Sequence, residues 1–226
     1  MRPLVAYLIA RDGPPPPAGV AYDYVLGGDG LWLAAQHDAL AVRAPVARAA
    51  VRGLPPLGGA CVLTHGPLPA ACWDGVVRVA RHFARHHLEV LLLATHGPRG
   101  YRLLVPRQRV TATRVYYEPP ALAAGELVVL QIHSHHALAA RFSAVDDRDE
   151  QGLGLYGVVG RLDGATPEVA LRAGAYGAWL PVRWDAVFQG EIGPFRDLVA
   201  AACAGEMADD TALAMAEEEV GHGLPD

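Results

Sequence analysis

Three side chains near the middle of the chain have the types and the spacing of a metal site. His133 and His135 stand two residues apart, and Asp146 follows after a stretch that also holds Ser143. Two imidazoles and one carboxylate are a ligand set of catalytic zinc sites, in which a further coordination position stays open for water. Zinc is a borderline-soft metal that suits both kinds of ligand. This segment therefore predicts a zinc site.

The elements that must position these side chains follow from the surrounding pattern. Residues 126–135 are almost entirely apolar up to the histidines, which is typical of a central strand buried on both faces. Side chains alternate along a strand, so His133 and His135 are predicted to project to the same face at its end. The acidic stretch 142–150 is predicted to begin a helix with Asp146 in its first turn. The seven residues between His135 and Ser143 are enough to fold Asp146 back over the strand.

The chain divides into three regions by pattern. Short apolar runs between Gly- and Pro-containing turns predict a β-rich N-terminal module over residues 1–66, although the Ala-rich stretch 46–51 could instead be helical. Residues 67–188 begin with an amphipathic helix from residue 69, whose apolar positions recur every three or four residues. Residues 189–226 are predicted to form a helical tail.

Between the helix and the tail the chain alternates apolar runs with turns. Strands are predicted at 89–94, 101–105, 110–117, 126–135, 155–162, 168–174 and 177–182, and tail helices at 195–204 and 209–220. Asp163 and Gly164 are typical of a hairpin turn. This order predicts an α/β fold in the form of an α+β sandwich, that is, a mixed β-sheet flanked by helices.

Composition and charge exclude several classes of function. With 226 residues, a formal net charge of −5 and a pI of about 6.0, the chain lacks the basic surface that nucleic-acid binding needs. No apolar run reaches the ~18–20 residues of a membrane span, and the apolar stretch 3–10 precedes charged and Pro-rich residues instead of a signal-peptide cleavage site. The three cysteines have no paired spacing and are expected to be reduced. We therefore expect a cytoplasmic protein without a nucleic-acid or membrane partner.

Each part of the metal motif also has an ordinary structural explanation. A His-x-His pair can arise by chance among ten histidines, and Ser143 with Asp146 is close to a helix N-cap with an acidic first turn. Only their combination, at the end of a buried strand and the start of a helix, favours a metal site.

Four other polar residues compete with this site. His82 and His86 lie four apart on the predicted helix, but three neighbouring arginines oppose a cation there, so a solvated face is the better interpretation. Glu118 and Glu126 are rival catalytic carboxylates. Glu118 precedes two prolines in a loop, and Glu126 begins the ligand strand, about 30 Å from the end that carries the histidines.

The complete pattern, His-Ser-His followed after seven residues by Ser-x-x-Asp, resembles the signature of the JAMM (MPN+) metalloproteases, which remove ubiquitin and ubiquitin-like proteins. That family also has a glutamate at the start of the strand after its first helix. Glu89, within Leu-Glu-Val-Leu-Leu-Leu at 88–93, stands in that context, and the resemblance covers roughly residues 67–185. The chain departs from the family at His136, where the family has proline, and by a leucine in place of a glycine in that strand.

The resemblance implies a role for each matched residue. His133, His135 and Asp146 would be zinc ligands, and zinc would lower the pKa of a bound water. Glu89 would take a proton from this water and return it to the leaving amine. Ser143 would donate a hydrogen bond to the developing oxyanion.

We therefore expect a zinc metallopeptidase of JAMM type that cleaves a peptide or isopeptide bond at the C-terminal tail of a small ubiquitin-like protein. Such a tail is extended and could bind by adding a strand beside the active-site groove. Residues 52–57 and 105–110 further resemble proteins of bacterial PRTRC gene clusters, which also encode a ThiF/E1-like protein. This second resemblance implies an E1-like (ThiF-type) partner.

Two other functions stay open on the sequence alone. The first is a metallohydrolase that acts on a small amide. The second is a non-catalytic scaffold, in which four protein ligands would enclose the zinc and His136 would be the nearby candidate for the fourth.

Overall fold

The Gly- and Pro-punctuated N-terminal region forms a five-stranded sheet in the computed structural model, which describes residues 1–203 of the chain. Its strands, in order across the sheet, are β1 (Val5–Ile9), β2 (Tyr22–Gly27), β3 (Gly30–His37), β4 (Leu40–Arg48) and β5 (Ala60–Leu63). β1 is parallel to β2, and the other neighbouring pairs are antiparallel. The β-rich prediction for this region is confirmed, and the helical alternative for 46–51 is wrong because β4 extends to Arg48.

A second, mixed sheet follows and carries the predicted metal site. The elements, in chain order, are α1 (Ala70–Ala84), β6 (Leu91–Gly97), β7 (Gly100–Leu104), β8 (Gln108–Val110), β9 (Val115–Tyr117), β10 (Leu127–Ser134), α2 (Ala144–Asp149), β11 (Gly154–Gly160), β12 (Glu168–Ala175), β13 (Ala178–Pro181), a 3₁₀ turn (Trp184–Ala186), β14 (Arg196–Asp197) and α3 (Leu198–Cys203). The order across the sheet is β13-β12-β11-β10-β6-β7, with β14 beside β12. β10 and β11 run parallel at its centre, which is possible because the chain between them includes α2.

Helix α1 packs on this sheet through the face that its periodicity predicts. Trp73, Val76 and Ala80 are buried, whereas the arginine-bearing face is exposed. The Trp73 ring lies against three further aromatic rings from the segment after β13, and its indole N–H donates to the carbonyl of Ile192 at 3.0 Å. The helix therefore ties the C-terminal part of the described chain to the sheet.

The two sheets share one hydrophobic core. Buried residues of β3 and β4, among them Leu33, Leu40 and Val42, belong to the same cluster as Leu130 and Leu171 of the second sheet. The contacts between the sheets run from β3 and β4 to β12 and β13. The predicted α+β class is confirmed, while the division of the chain at residues 66 and 188 stays a prediction.

Two predicted strands differ from those observed. Residues 110–117 form not one strand but the hairpin of β8 and β9, whose turn is closed by a hydrogen bond from the Thr111 N–H to the Arg114 carbonyl at 2.9 Å. The strand predicted at 89–94 begins later, at Leu91, because the N–H groups of Glu89 and Val90 bond to partners outside the ladder. The predicted hairpin around Asp163 is confirmed by the antiparallel pairing of β11 with β12.

The tail prediction is only partly within the described residues. Helix α3 covers six residues of the predicted helix at 195–204, and the helix predicted at 209–220 lies outside the described residues. Among the helices of residues 1–203, none has the length and apolar character needed to cross a membrane.

Candidate metal centre

The end of β10 brings the two histidines together. His133 pairs with Val158 of β11 on one side and with Leu91 of β6 on the other, so its backbone is fixed from both directions. The strand ends at Ser134, but the His135 N–H still donates to the Val159 carbonyl at 2.8 Å, which keeps this residue beside β11. The Nε2 atoms of the two rings are 3.1 Å apart.

The loop after β10 and the start of α2 return Asp146 to this point. Ser143 is the N-cap of α2: its hydroxyl accepts the Asp146 N–H at 3.3 Å. Ser143 also donates its N–H and O–H to Asp146 Oδ2, at 2.6 and 2.7 Å. The second carboxylate oxygen, Oδ1, lies 3.4 Å from His133 Nε2. The helix cap thus occupies one oxygen of Asp146 and leaves the other facing the histidines.

The three side chains fit a single zinc ion. One ligand atom from each of His133, His135 and Asp146 lies within 4.8 Å of the others. Tetrahedral zinc with bonds of about 2.0–2.2 Å needs ligand atoms about 3.3–3.6 Å apart, close to the 3.1 and 3.4 Å observed for two of the pairs. Within residues 1–203, no other group of at least three His, Cys, Asp or Glu side chains is able to share an ion.

The protonation of the histidines also suits a metal. His135 Nδ1 lies 3.1 Å from the carbonyl oxygen of Ala139, and this oxygen can only accept, so Nδ1 carries the proton and the Nε2 lone pair faces the site. Burial lowers the pKa of His133 to about 4, against the opposing effect of the Asp146 charge. Burial lowers the pKa of His135 as well. Both rings are therefore neutral at pH 7, as metal binding requires.

Glu89 is a buried carboxyl next to this cluster. It is 6% exposed, and its N–H donates to the Thr111 carbonyl at 2.9 Å. Val90 is held to β10 by two hydrogen bonds with Ser134, one from each residue's N–H, at 3.1 and 3.0 Å. Burial, with a further contribution from the Asp146 charge, raises the pKa of Glu89 to about 7. A carboxyl with this pKa exchanges protons readily at neutral pH.

The competing residues have other partners. Glu126 accepts hydrogen bonds from Thr95 and Arg102, at 2.6 and 3.0 Å, and Glu118 pairs with Arg107 on the exposed surface. His82 on α1 and His86 just after the end of this helix are both exposed.

His136 points away from the cluster. Its Nε2 lies 2.8 Å from the Ala112 carbonyl, in the turn between β8 and β9. Among the described residues, the candidate site therefore has three protein ligands and not four.

Some contributors to the site were not predicted from the sequence. Ser134, between the two histidines, is fully buried and anchors Val90, and the Ala139 carbonyl orients His135. Arg172 of β12 bonds to Asp147 of α2 and to Glu150, the C-cap of this helix. Arg172 has a sequence signal, because it is the one charged residue inside the apolar run 169–175, and Ser134 is visible as the middle residue of the His-Ser-His motif.

The segment that carries this cluster is also similar to a known family. Residues 73–174 match the family model described as prokaryotic homologs of the JAB domain. This segment extends from α1 into β12 and includes Glu89, Ser143 and the three candidate ligands. No curated protein gives a match to the chain. Through this segment, the chain is similar to the JAB (JAMM/MPN) family.

Proposed function

We propose that this protein is a zinc-dependent peptidase that hydrolyses a peptide or isopeptide bond at the C-terminal tail of a ubiquitin-like protein. One observation carries the proposal: the ligand atoms of His133, His135 and Asp146 converge within 4.8 Å, beside a buried Glu89 whose pKa is about 7. Three protein ligands leave a coordination position for water, as in catalytic zinc sites, whereas structural zinc sites are closed by four.

In this proposal the residues divide the chemistry between them. A zinc ion held by the two histidines and Asp146 would supply Lewis acidity toward the scissile carbonyl and would lower the pKa of a water molecule. Glu89 accepts a proton from this water as the water's oxygen bonds to the carbonyl carbon. Glu89 then protonates the nitrogen of the leaving amine, and the carbon–nitrogen bond breaks to give a carboxylic acid and an amine.

The role proposed for Ser143 is donation to the oxyanion. Its hydroxyl is exposed at the start of α2 and donates to Asp146 Oδ2 at 2.7 Å. To serve the substrate, this hydroxyl must exchange that bond for one to the oxyanion, while its backbone N–H keeps Asp146 in place at 2.6 Å.

The proposed substrate is an extended tail. The hairpin of β8 and β9 is a separate two-stranded sheet, so it offers strand edges that have no partner in the described part of the chain. It contacts the site, since the Thr111 carbonyl accepts the Glu89 N–H and the Ala112 carbonyl lies at His136. Main-chain pairing with such an edge would recognise an extended tail.

The proposed setting is a bacterial PRTRC-type system, with an E1-like (ThiF-type) protein as partner. This part is supported by the resemblance of residues 52–57 and 105–110 to proteins of such gene clusters.

Metal content tests the first requirement of this function. We expect about one zinc per wild-type chain by mass spectrometry, and a sharp decrease in Asp146→Ala, which removes one of the three candidate ligands. Asp149→Ala, at the end of the same helix, is the matched control and should keep its zinc. A folded wild type that binds no zinc after resupply would refute the proposal.

The substrate class needs a second experiment. A panel of ubiquitin-like proteins with C-terminal fusions would be compared with small-molecule amides. Cleavage at the tail supports the proposal, and cleavage of small amides alone favours the small-amide hydrolase. A zinc-loaded protein that cleaves neither supports the scaffold.

A further inference from the structure

Helix α2 carries Asp146 but has no buried side chain of its own. It is six residues long, and none of them is buried. Helices this short are unstable in isolation, and most gain their stability from an apolar face packed on the protein. The capping box satisfies its first turn, but this contact is internal to the segment. The attachment of α2 to the sheet must therefore come from polar contacts.

Arg172 of β12 supplies these contacts. Its side chain is largely buried, and its Nη1 donates to Asp147 Oδ1 at 2.5 Å. Its Nε and Nη2 both donate to Glu150 Oε2, at 3.0 and 2.6 Å. Charge-assisted bonds of this kind are stronger than neutral ones, and the planar guanidinium fixes their direction.

The same guanidinium also contacts the residue that precedes the helix cap. Its carbon lies 3.9 Å from the centre of the Phe142 ring and 4.8 Å from that of Trp179 in β13. Phe142 comes directly before the N-cap Ser143, and Glu150 is the C-cap. One arginine therefore holds both ends of the helix against the sheet.

We propose that Arg172 is a positioning residue of the metal site: it fixes α2 so that Asp146 Oδ1 faces His133 and His135. The inference rests on the proposed function, because it takes Asp146 to be a zinc ligand. Outer partners of metal ligands typically contribute 10- to 100-fold to metal affinity. Arg172 acts one step further out, through the helix that presents the ligand.

The test compares zinc affinity in matched arginine variants. Arg172→Met keeps the length and apolar stem of the side chain but removes all three donors, and should weaken zinc binding by about 10- to 100-fold. Arg172→Lys keeps the charge without the planar fork and should restore only part of this loss. Arg102→Met is the control, since Arg102 pairs with Glu126 at 2.9 Å at the opposite end of β10. It should change the affinity less than about threefold.

The readouts are a zinc dissociation constant, from competition with a chromophoric chelator, and the visible spectrum of the cobalt-loaded protein. A change in the cobalt spectrum of Arg172→Met shows an altered ligand geometry, which a general loss of stability would not produce in a folded chain. Circular dichroism checks folding. Where Arg172→Met does not fold, Glu150→Gln and Asp147→Asn test the same contacts one at a time.

The outcomes separate this inference from the proposed function. Wild-type zinc affinity and an unchanged cobalt spectrum in the folded Arg172 variants would overturn the positioning role alone. A third outcome is that Arg172→Met binds zinc more weakly than the wild type, while the zinc-loaded wild type cleaves no substrate. This result would support the positioning role and refute the peptidase. A wild type without zinc affinity would overturn both.

Discussion

Glu89 differs from Glu126, the rival catalytic carboxylate, in what surrounds it. It is buried and has a pKa of about 7, whereas Glu126 is bonded to Thr95 and Arg102, which lower its pKa. A general base needs a pKa near the working pH, because it must both take up and release a proton. Of these two carboxyl groups, Glu89 has a pKa near the working pH and Glu126 does not.

Replacement of Glu89 by glutamine should separate metal binding from turnover. Glu89→Gln keeps the shape of the side chain but cannot take up a proton, so kcat should fall by about 10²–10⁴-fold with zinc content unchanged. Cleavage of a tail fusion and metal analysis of the same sample would measure both. Undiminished kcat would remove Glu89 from the mechanism.

The raised pKa of Glu89 also predicts a pH dependence of stability in the metal-free protein. Its pKa is about 7 in the folded chain against an ordinary value of 4.5, so as pH rises the unfolded chain releases this proton first. The contribution of Glu89 to the free energy of unfolding is fully present below about pH 4.5. It is lost as pH rises through about 7, a decrease on the order of 3 kcal/mol.

Urea unfolding of chelator-treated wild type and Glu89→Gln, from pH 4 to 8, would measure this effect as the difference between the two curves. The glutamine variant lacks the titrating group, so other ionisable residues cancel in the comparison. Parallel stability curves for the two proteins would contradict the prediction.

The loop that orients His135 depends on the end of β11. The Arg161 N–H donates to the Leu138 carbonyl and the Leu162 N–H to the His136 carbonyl, both at 2.7 Å. Gly160 allows this close approach, since a Cβ there would lie 2.3 Å from the Leu138 oxygen. The contacting atoms are backbone and cannot rotate away.

Gly160→Ala should therefore displace the loop and weaken zinc binding. We expect about a tenfold loss of zinc affinity, because the Ala139 carbonyl would no longer hold His135, together with a destabilisation of about 1–3 kcal/mol. Gly154→Ala in the same strand is the control, since its Cβ would meet nothing closer than 3.6 Å. Equal zinc affinity in the two variants would show that the loop position does not matter for the site.

An element can be predicted from the sequence when the interactions that form it join residues close together in the chain. Apolar runs and alternation are local signals, so β10, β11, β12 and α1 were located from the sequence. The hairpin at 108–117 was not, because its turn contains neither Gly nor Pro and Val110 and Val115 suggest one continuous strand.

The candidate site also has features that are visible in the sequence and features that depend on the fold. The spacing of His133, His135 and Asp146 is visible in the sequence, whereas the Ala139 carbonyl that orients His135 belongs to the backbone and has no residue signature. The contacts of Arg172 join residues 22 and 25 positions apart in the sequence, so they depend on the fold.

The shared core couples the two sheets of the molecule. Leu40 of β4 is fully buried in the cluster that also contains Leu130 and Leu171. A cavity at this position removes contacts from both sheets, so its effect should not stay within the first 66 residues.

Leu40→Ala should lower the free energy of unfolding by about 2–5 kcal/mol in a single transition. Circular dichroism and tryptophan fluorescence would follow this unfolding transition. Three of the four tryptophans, Trp73, Trp179 and Trp184, lie beyond residue 66, so the fluorescence reports mainly on that part of the chain. Coincident transitions indicate one cooperative unit. Two separate transitions would instead support independent folding of the predicted N-terminal module.

Strand β12 faces both parts of the molecule, and this has a consequence for regulation. Leu171 and Ala173 belong to the shared core, and Arg172, on the opposite face of the strand, holds α2. A protein that binds the first sheet and shifts β12 would change zinc affinity without touching the metal. By thermodynamic reciprocity, zinc would change the affinity for that protein by the same factor.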